Sequence, residues 1–227
     1  MKTITGHFDA FLPGFFPLFR AVMPVFFLVL PLFLGAQNRP DALMEYRNGN
    51  YERAVNICRA ELAQNPNNMD SHVVICWSLL RLNRFQEALG YAQAGRAINR
   101  YDVRIIEVLG EINYYEGRNN EALQYFQEYI NLAPEGQRID MVYYFLGEIY
   151  IRLGRYRHAD IALSTAVHWL PGNALWWTRL AYARENAGDS ADVAEAAAAY
   201  ERALALDPQL TDAQRGLDRV RQTLRPR

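Results

Sequence analysis

The chain has 227 residues, with 24 basic and 25 acidic side chains, and 51% of its residues are apolar. A net charge of −1 gives no bulk attraction for nucleic acid. Beyond the first 36 positions the basic side chains are 22 arginines against 24 acids, without a single lysine and without a low-complexity linker, which is enough chain for one elongated domain.

Residues 1–36 stand apart in composition. Ala21 to Gly35 is almost wholly apolar and runs into Leu34-Gly35-Ala36, the pattern of a secretory signal whose removal leaves Gln37 first. The alternative is an uncleaved anchor over residues 21–35, but about 15 apolar residues fall short of the ~20 needed to span a bilayer. Pro24, Pro31 and the partly apolar leader from Phe8 to Phe19 depart from the usual signal pattern. No cysteine follows the run, which argues against lipid-anchored export. The expectation is an exported, periplasmic protein, or an inner-membrane one if the anchor is kept.

From residue 37 onward the chain keeps a beat. Ala54, Ala88, Ala122, Ala159 and Ala196 recur at spacings of 34, 34, 37 and 37, and Gly49, Asn83, Gly117, Gly154 and Gly188 each precede one of them. Pro66, Pro134, Pro171 and Pro208 end apolar helical runs, and only Arg100 breaks that series. A period in this range is the mark of a solenoid, whose units cannot bury their apolar faces alone and must stack. The longer spacings locate two insertions. One is Glu135-Gly136-Gln137-Arg138-Ile139, between units three and four, and the other is Asp189-Ser190-Ala191, expected to lengthen the turn inside unit five. Neither is expected to disturb the stack. Thr211 to Leu224 reads as a final amphipathic helix, with Ala213, Leu217, Val220 and Leu224 on its apolar side and Asp212, Gln214, Arg215, Asp218, Arg219 and Arg221 facing solvent.

The order of residues within each unit resembles the tetratricopeptide repeat, W-x2-L-G-x2-Y, then A-x3-F, then P, in about 34 residues. Tyr143, Leu146, Gly147, Tyr150, Gly154, Tyr156, Ala159, Leu163, Ala166 and Pro171 make unit four the best fit. Unit three supplies Leu109, Gly110, Gly117, Ala122, Phe126 and Pro134, and unit five Trp177, Leu180, Ala181, Gly188, Ala196, Tyr200, Ala203 and Pro208. Units one and two carry weaker versions around Ala54 and Ala88. The resemblance implies an all-α, right-handed superhelix of five helix hairpins, at about 37–68, 69–102, 103–136, 140–173 and 174–210, with a capping helix at 211–224.

Catalytic constellations are missing from the sequence. His72, His158 and His168 lie in separate helices without metal-ligand spacing, and there is no H-E-x-x-H, C-x-x-C, glycine-rich phosphate loop or nucleophile elbow. The reading is a non-enzyme with neither metal nor cofactor. Cys58 and Cys76 fall on neighbouring helices at apolar positions, where two buried free thiols are favoured over a disulfide.

In the family the concave wall is built from the first helix of each hairpin. Carrying that register over places Tyr46, Arg47, Trp77, Leu80, Arg81, Glu107, Glu111, Tyr114, Tyr115, Tyr144, Glu148, Ile151, Arg152, Thr178, Tyr182 and Glu185 there, with Arg215 and Arg219 of the cap at the far end. Tyr, Trp and Arg dominate binding hot spots because they combine a large rigid area with a polar handle. The family's basic clamp for acidic chaperone tails is not matched, since Val73, Val74, Trp77, Glu107 and Val108 stand where Lys, Arg or Asn would be needed. These residues point to an envelope scaffold or adaptor that holds a partner peptide or helix in its groove. The alternative is a periplasmic subunit that binds or delivers a small hydrophobic ligand. Membrane contact is expected only if the N-terminal segment stays uncleaved. Self-association is a compatible option, because Trp169 and Trp176 flank Pro171-Gly172-Asn173 at a unit junction.

Overall fold

The computed structural model describes residues 41–188 and 190–224. The signal or anchor assigned to residues 1–36 lies outside them. Eleven helices follow one another among the described residues: α1 (Ala42–Arg47), α2 (Tyr51–Gln64), α3 (Met69–Arg81), α4 (Phe85–Ile98), α5 (Val103–Tyr115), α6 (Asn119–Leu132), α7 (Ile139–Arg152), α8 (Tyr156–Trp169), α9 (Ala174–Ala187), α10 (Ser190–Leu206) and α11 (Thr211–Leu224). None is long and apolar enough to cross a membrane.

Short connections force consecutive helices to pack antiparallel as hairpins. The odd-numbered helices also touch in succession, α1 on α3, α3 on α5, α5 on α7, α7 on α9 and α9 on α11, so they form an inner layer and the even-numbered helices an outer one. The five hairpins and the cap agree with the expected fold.

Each hairpin turns on a residue with positive φ, which ends the inner helix and reverses the chain. Glycine takes that conformation without a Cβ penalty, and unit two does it with Asn83 at φ 56°. At the other end, Asp41, Asn68, Asp102 and Asn173 cap α1, α3, α5 and α9 by accepting backbone N–H bonds. Arg138 precedes α7 instead and caps nothing with its side chain.

The recurring alanines sit where helices meet: Ala54, Ala88, Ala122, Ala159 and Ala196 are all fully buried. Closest approach needs still less. A Cβ on Gly110 would overlap the Phe126 ring, one on Gly147 would overlap Leu163, and one on Gly216 would overlap Tyr200.

Two expectations need correction here. Residues 190 and 191 do not lengthen the turn of unit five, because α10 already begins at Ser190 and runs for 17 residues, against 14 in α2, α4, α6 and α8. The segment is rich in alanine, the strongest helix former, so the extra residues are taken up as helix. On the cap, Ala213, Leu217 and Val220 are buried as expected but Leu224 is 43% exposed. Gly216 takes its place in the contact, pressed on Tyr200.

Candidate functional site

Among the expected wall residues, Tyr46, Trp77, Leu80, Arg81, Glu111 and Tyr115 converge on one cleft of about 360 Å³, together with Asn83, Arg138 and Met141. The inner layer builds it, with α1 giving Tyr46, α3 Trp77 and Arg81, α5 Glu111 and Tyr115, and α7 Met141. Rings shape its sides. Tyr46 and Trp77 lie 5.7 Å apart between centroids, and Tyr115 stacks on Phe85 of α4 at 5.1 Å and 13°. Tyr115 is 49% exposed and Arg81 is exposed, so both are open to solvent.

Arg138 closes one side from the connection between α6 and α7. Its Nε donates to Glu107 Oε1 at 2.8 Å and its Nη2 to Glu111 Oε1 at 2.8 Å. Its backbone N–H donates to the Tyr129 hydroxyl at 3.2 Å, which ties the loop to α6. Glu107 is 1% exposed and its second oxygen has no partner among the described residues. Burial, and next the charge of Glu111, hold its carboxyl well above the usual carboxylate range, against the opposing pull of Arg138.

Other expected wall residues are packing struts between adjacent inner helices. Tyr114 is buried rather than exposed, against Phe145 at 4.8 Å and beneath Arg152, whose guanidinium lies 3.8 Å over its ring. Glu148 is buried and accepts from Arg179 Nε at 2.5 Å, and Thr178 is buried with its hydroxyl donating to the Ala174 carbonyl. Tyr144 is half-buried and stacks on Trp176 at 5.1 Å and 12°, and burial raises its phenol. Tyr182 lies apart from the cleft, beside Tyr156 and Arg179. Arg47, Arg152 and Arg215 are exposed, and Glu185 is held by Arg219 at 2.7 Å. Trp176, expected at a partly exposed junction, is 3% exposed, whereas Trp169 is 48% exposed.

The register carried over for the wall did not include Arg138, Asn83 or Met141. Asn83 was read only as a turn residue, Met141 lies in α7 at a position that the register did not single out, and Arg138 lies on the inserted connection ahead of α7. For Arg138 the only sequence signal was the insertion itself, which we expected to be inert. Cys58 and Cys76 are free and fully buried, and His72 is a buried packing residue whose Nε2 lies 2.9 Å from the Pro66 carbonyl.

Two tetratricopeptide repeat profiles match this chain, one over residues 42–103 and the other over 103–135 and 142–169. The chain belongs to the tetratricopeptide repeat family. A curated relative, the BBSome complex member BBS4 homolog of Drosophila melanogaster, is 28% identical over 142 residues, covering 59% of this chain and 29% of the relative. The chain thus spans less than a third of that protein. A chain of the APC/C hetero-tetramer Cut9–Hcn1 superposes with a TM-score of 0.69 at 19% identity, covering 79% of this chain and 35% of the other. YrrB, described as a TPR protein with an unusual peptide-binding site, superposes at 0.64 and 16% identity, covering 73% and 82%. Identities this low establish the fold alone.

Proposed function

We propose that this tetratricopeptide protein is a non-catalytic adaptor of the bacterial cell envelope that holds a segment of a partner protein against its inner layer, centred on the cleft at Tyr46, Trp77, Arg81 and Tyr115. One observation carries this reading: rings and an exposed guanidinium from three consecutive repeats share one cleft, where only stacking brings them together. Aromatic and arginine side chains of this kind supply most of the energy of peptide and helix recognition. The peptide-binding site named for YrrB, a structural neighbour, supports the same use of the fold. The envelope setting rests on the apolar N-terminal run.

A photo-crosslinking residue in place of Met141, which also lines the cleft, should capture a defined partner in cells, and adding Trp77→Ala with Tyr115→Ala should reduce that capture at least tenfold with helicity unchanged. Undiminished capture in the double variant would remove the cleft from the function. Mass measurement of the protein recovered from cells decides the leader, since a chain starting at Gln37 supports export with cleavage and an intact Met1 opposes it. A small molecule retained in native mass spectra, with no protein captured, would favour the ligand-delivery alternative.

A further inference from the structure

The inner helices end in a repeated chemistry. Two positions before Gly49, Asn83, Gly117 and Gly154, the last residues of α1, α3, α5 and α7 are Arg47, Arg81, Tyr115 and Arg152. The three arginines are exposed and none forms a salt bridge among the described residues, and Glu111, whose charge acts on Arg81, is itself held by Arg138. That is unlike Arg96, Arg104 and Arg219, which bridge repeats by pairing with Glu128, Asp70 and Glu185.

Two of the three have a tyrosine beside them instead. One position earlier, the preceding inner helix carries Tyr46 and Tyr114. Arg81 lines the same cleft as Tyr46, and Arg152 lies over the Tyr114 ring with its Nη1 donating to the Tyr114 carbonyl at 2.8 Å. A tyrosine and an arginine are thus brought together in the same register at two places, two repeats apart. A ring or a carbonyl orients a guanidinium without neutralising it.

A cation at a helix C-terminus is favoured by the backbone dipole wherever it points. The distinguishing feature here is the surrounding charge. Carboxylates of the same layer are already engaged, Glu107 and Glu111 by Arg138, Glu148 by Arg179 and Glu185 by Arg219, so the charge left over along the helix ends is positive.

We infer that Arg47, Arg81 and Arg152 form a row that reads acidic side chains, and that the partner lays an extended acidic segment along the ends of the inner helices with an apolar or aromatic residue opposite Tyr115. The inference rests on the cleft being the binding surface. Packed helices stand about 8–10 Å apart and an extended chain advances about 3.3 Å per residue, so one repeat corresponds to about three residues of partner. The segment it selects is acid, two spacers, acid, two spacers, ring, two spacers, acid.

The probe is a fluorescein-labelled synthetic peptide, Glu-Ser-Gly-Glu-Ser-Gly-Phe-Ser-Gly-Glu, with versions in which every Glu is Gln or Lys, titrated against the purified chain by anisotropy. The Glu peptide should bind at least tenfold more tightly than the Gln peptide and lose affinity as salt is raised. The Lys peptide should not bind. Arg81→Gln and Arg152→Gln should each weaken the Glu peptide several-fold while leaving the Gln peptide unaffected. Equal binding of Glu and Gln peptides, both abolished by Trp77→Ala, would overturn the acidic selection and leave the cleft standing. Binding of the Glu peptide that neither Trp77→Ala nor Arg81→Gln alters would overturn both, and failure of every peptide to bind would overturn the inference.

Discussion

Arg138 donates to Glu107 at 2.8 Å, so the loop that breaks the repeat spacing is fastened to a carboxyl buried in the inner layer of the preceding hairpin. The insertion is an added strut between units three and four. It also places a guanidinium on the wall of the cleft.

That fastening should be visible as a pH dependence of stability. A carboxyl raised by burial keeps a proton in the native state that the unfolded chain has already lost. Its contribution is complete below the usual carboxylate range and is lost as pH rises through the elevated value. Glu107→Gln keeps the shape and should remove this part of the slope, so the variant's stability relative to wild type should improve as pH climbs. Urea midpoints measured between about pH 4 and about pH 8 test it. Parallel curves for the two proteins would show that Glu107 does not titrate in that window.

Two helical glycines should respond in opposite directions. A Cβ on Gly147 meets Leu163, whereas one on Gly90 meets open space. Gly147→Ala should cost about 1–3 kcal/mol by overpacking. Gly90→Ala should gain about 0.5–1 kcal/mol from helix propensity. Both are read from denaturant unfolding, and a tolerated Gly147→Ala would mean that α7 and α8 do not pack as closely as described.

Asn83 holds a φ of 56° at the turn between α3 and α4. Replacement by alanine should cost roughly 1 kcal/mol, because a Cβ disfavours that conformation. Replacement by glycine should be close to neutral, since steric relief is offset by greater freedom in the unfolded chain. Thermal midpoints in which alanine and glycine behave alike would contradict the strained turn.

The two thiols should be silent in the native protein. Burial pushes Cys58 up to about 12 and raises Cys76 as well, so neither forms an appreciable thiolate at neutral pH. An aromatic disulfide reagent should release no chromophore from the folded chain and two equivalents after unfolding without reductant. An absence of signal after unfolding would reveal a bond between them.

Much of the fold was legible because stacking helices impose narrow demands on particular positions. Contact between axes demands alanine at 54, 88, 122, 159 and 196, and reversal demands glycine or asparagine at the five turns. Those demands recur at a fixed spacing, so they can be counted. The site was legible only in part. Periodicity says which residues leave the hairpin core, but Tyr114 and Glu148 leave it and are then covered by the next inner helix. Trp77, Arg81 and Tyr115 look the same in sequence and stay open.

The sequence by itself determined the unit, the number of hairpins and the place of the first insertion, because these follow from local helix geometry repeated along the chain. Tertiary structure decided that Arg138 returns to the wall and which rings line the cleft. Those outcomes depend on distances between residues about 30 positions apart, where the stacking angle of successive hairpins, and no local rule, sets what meets what.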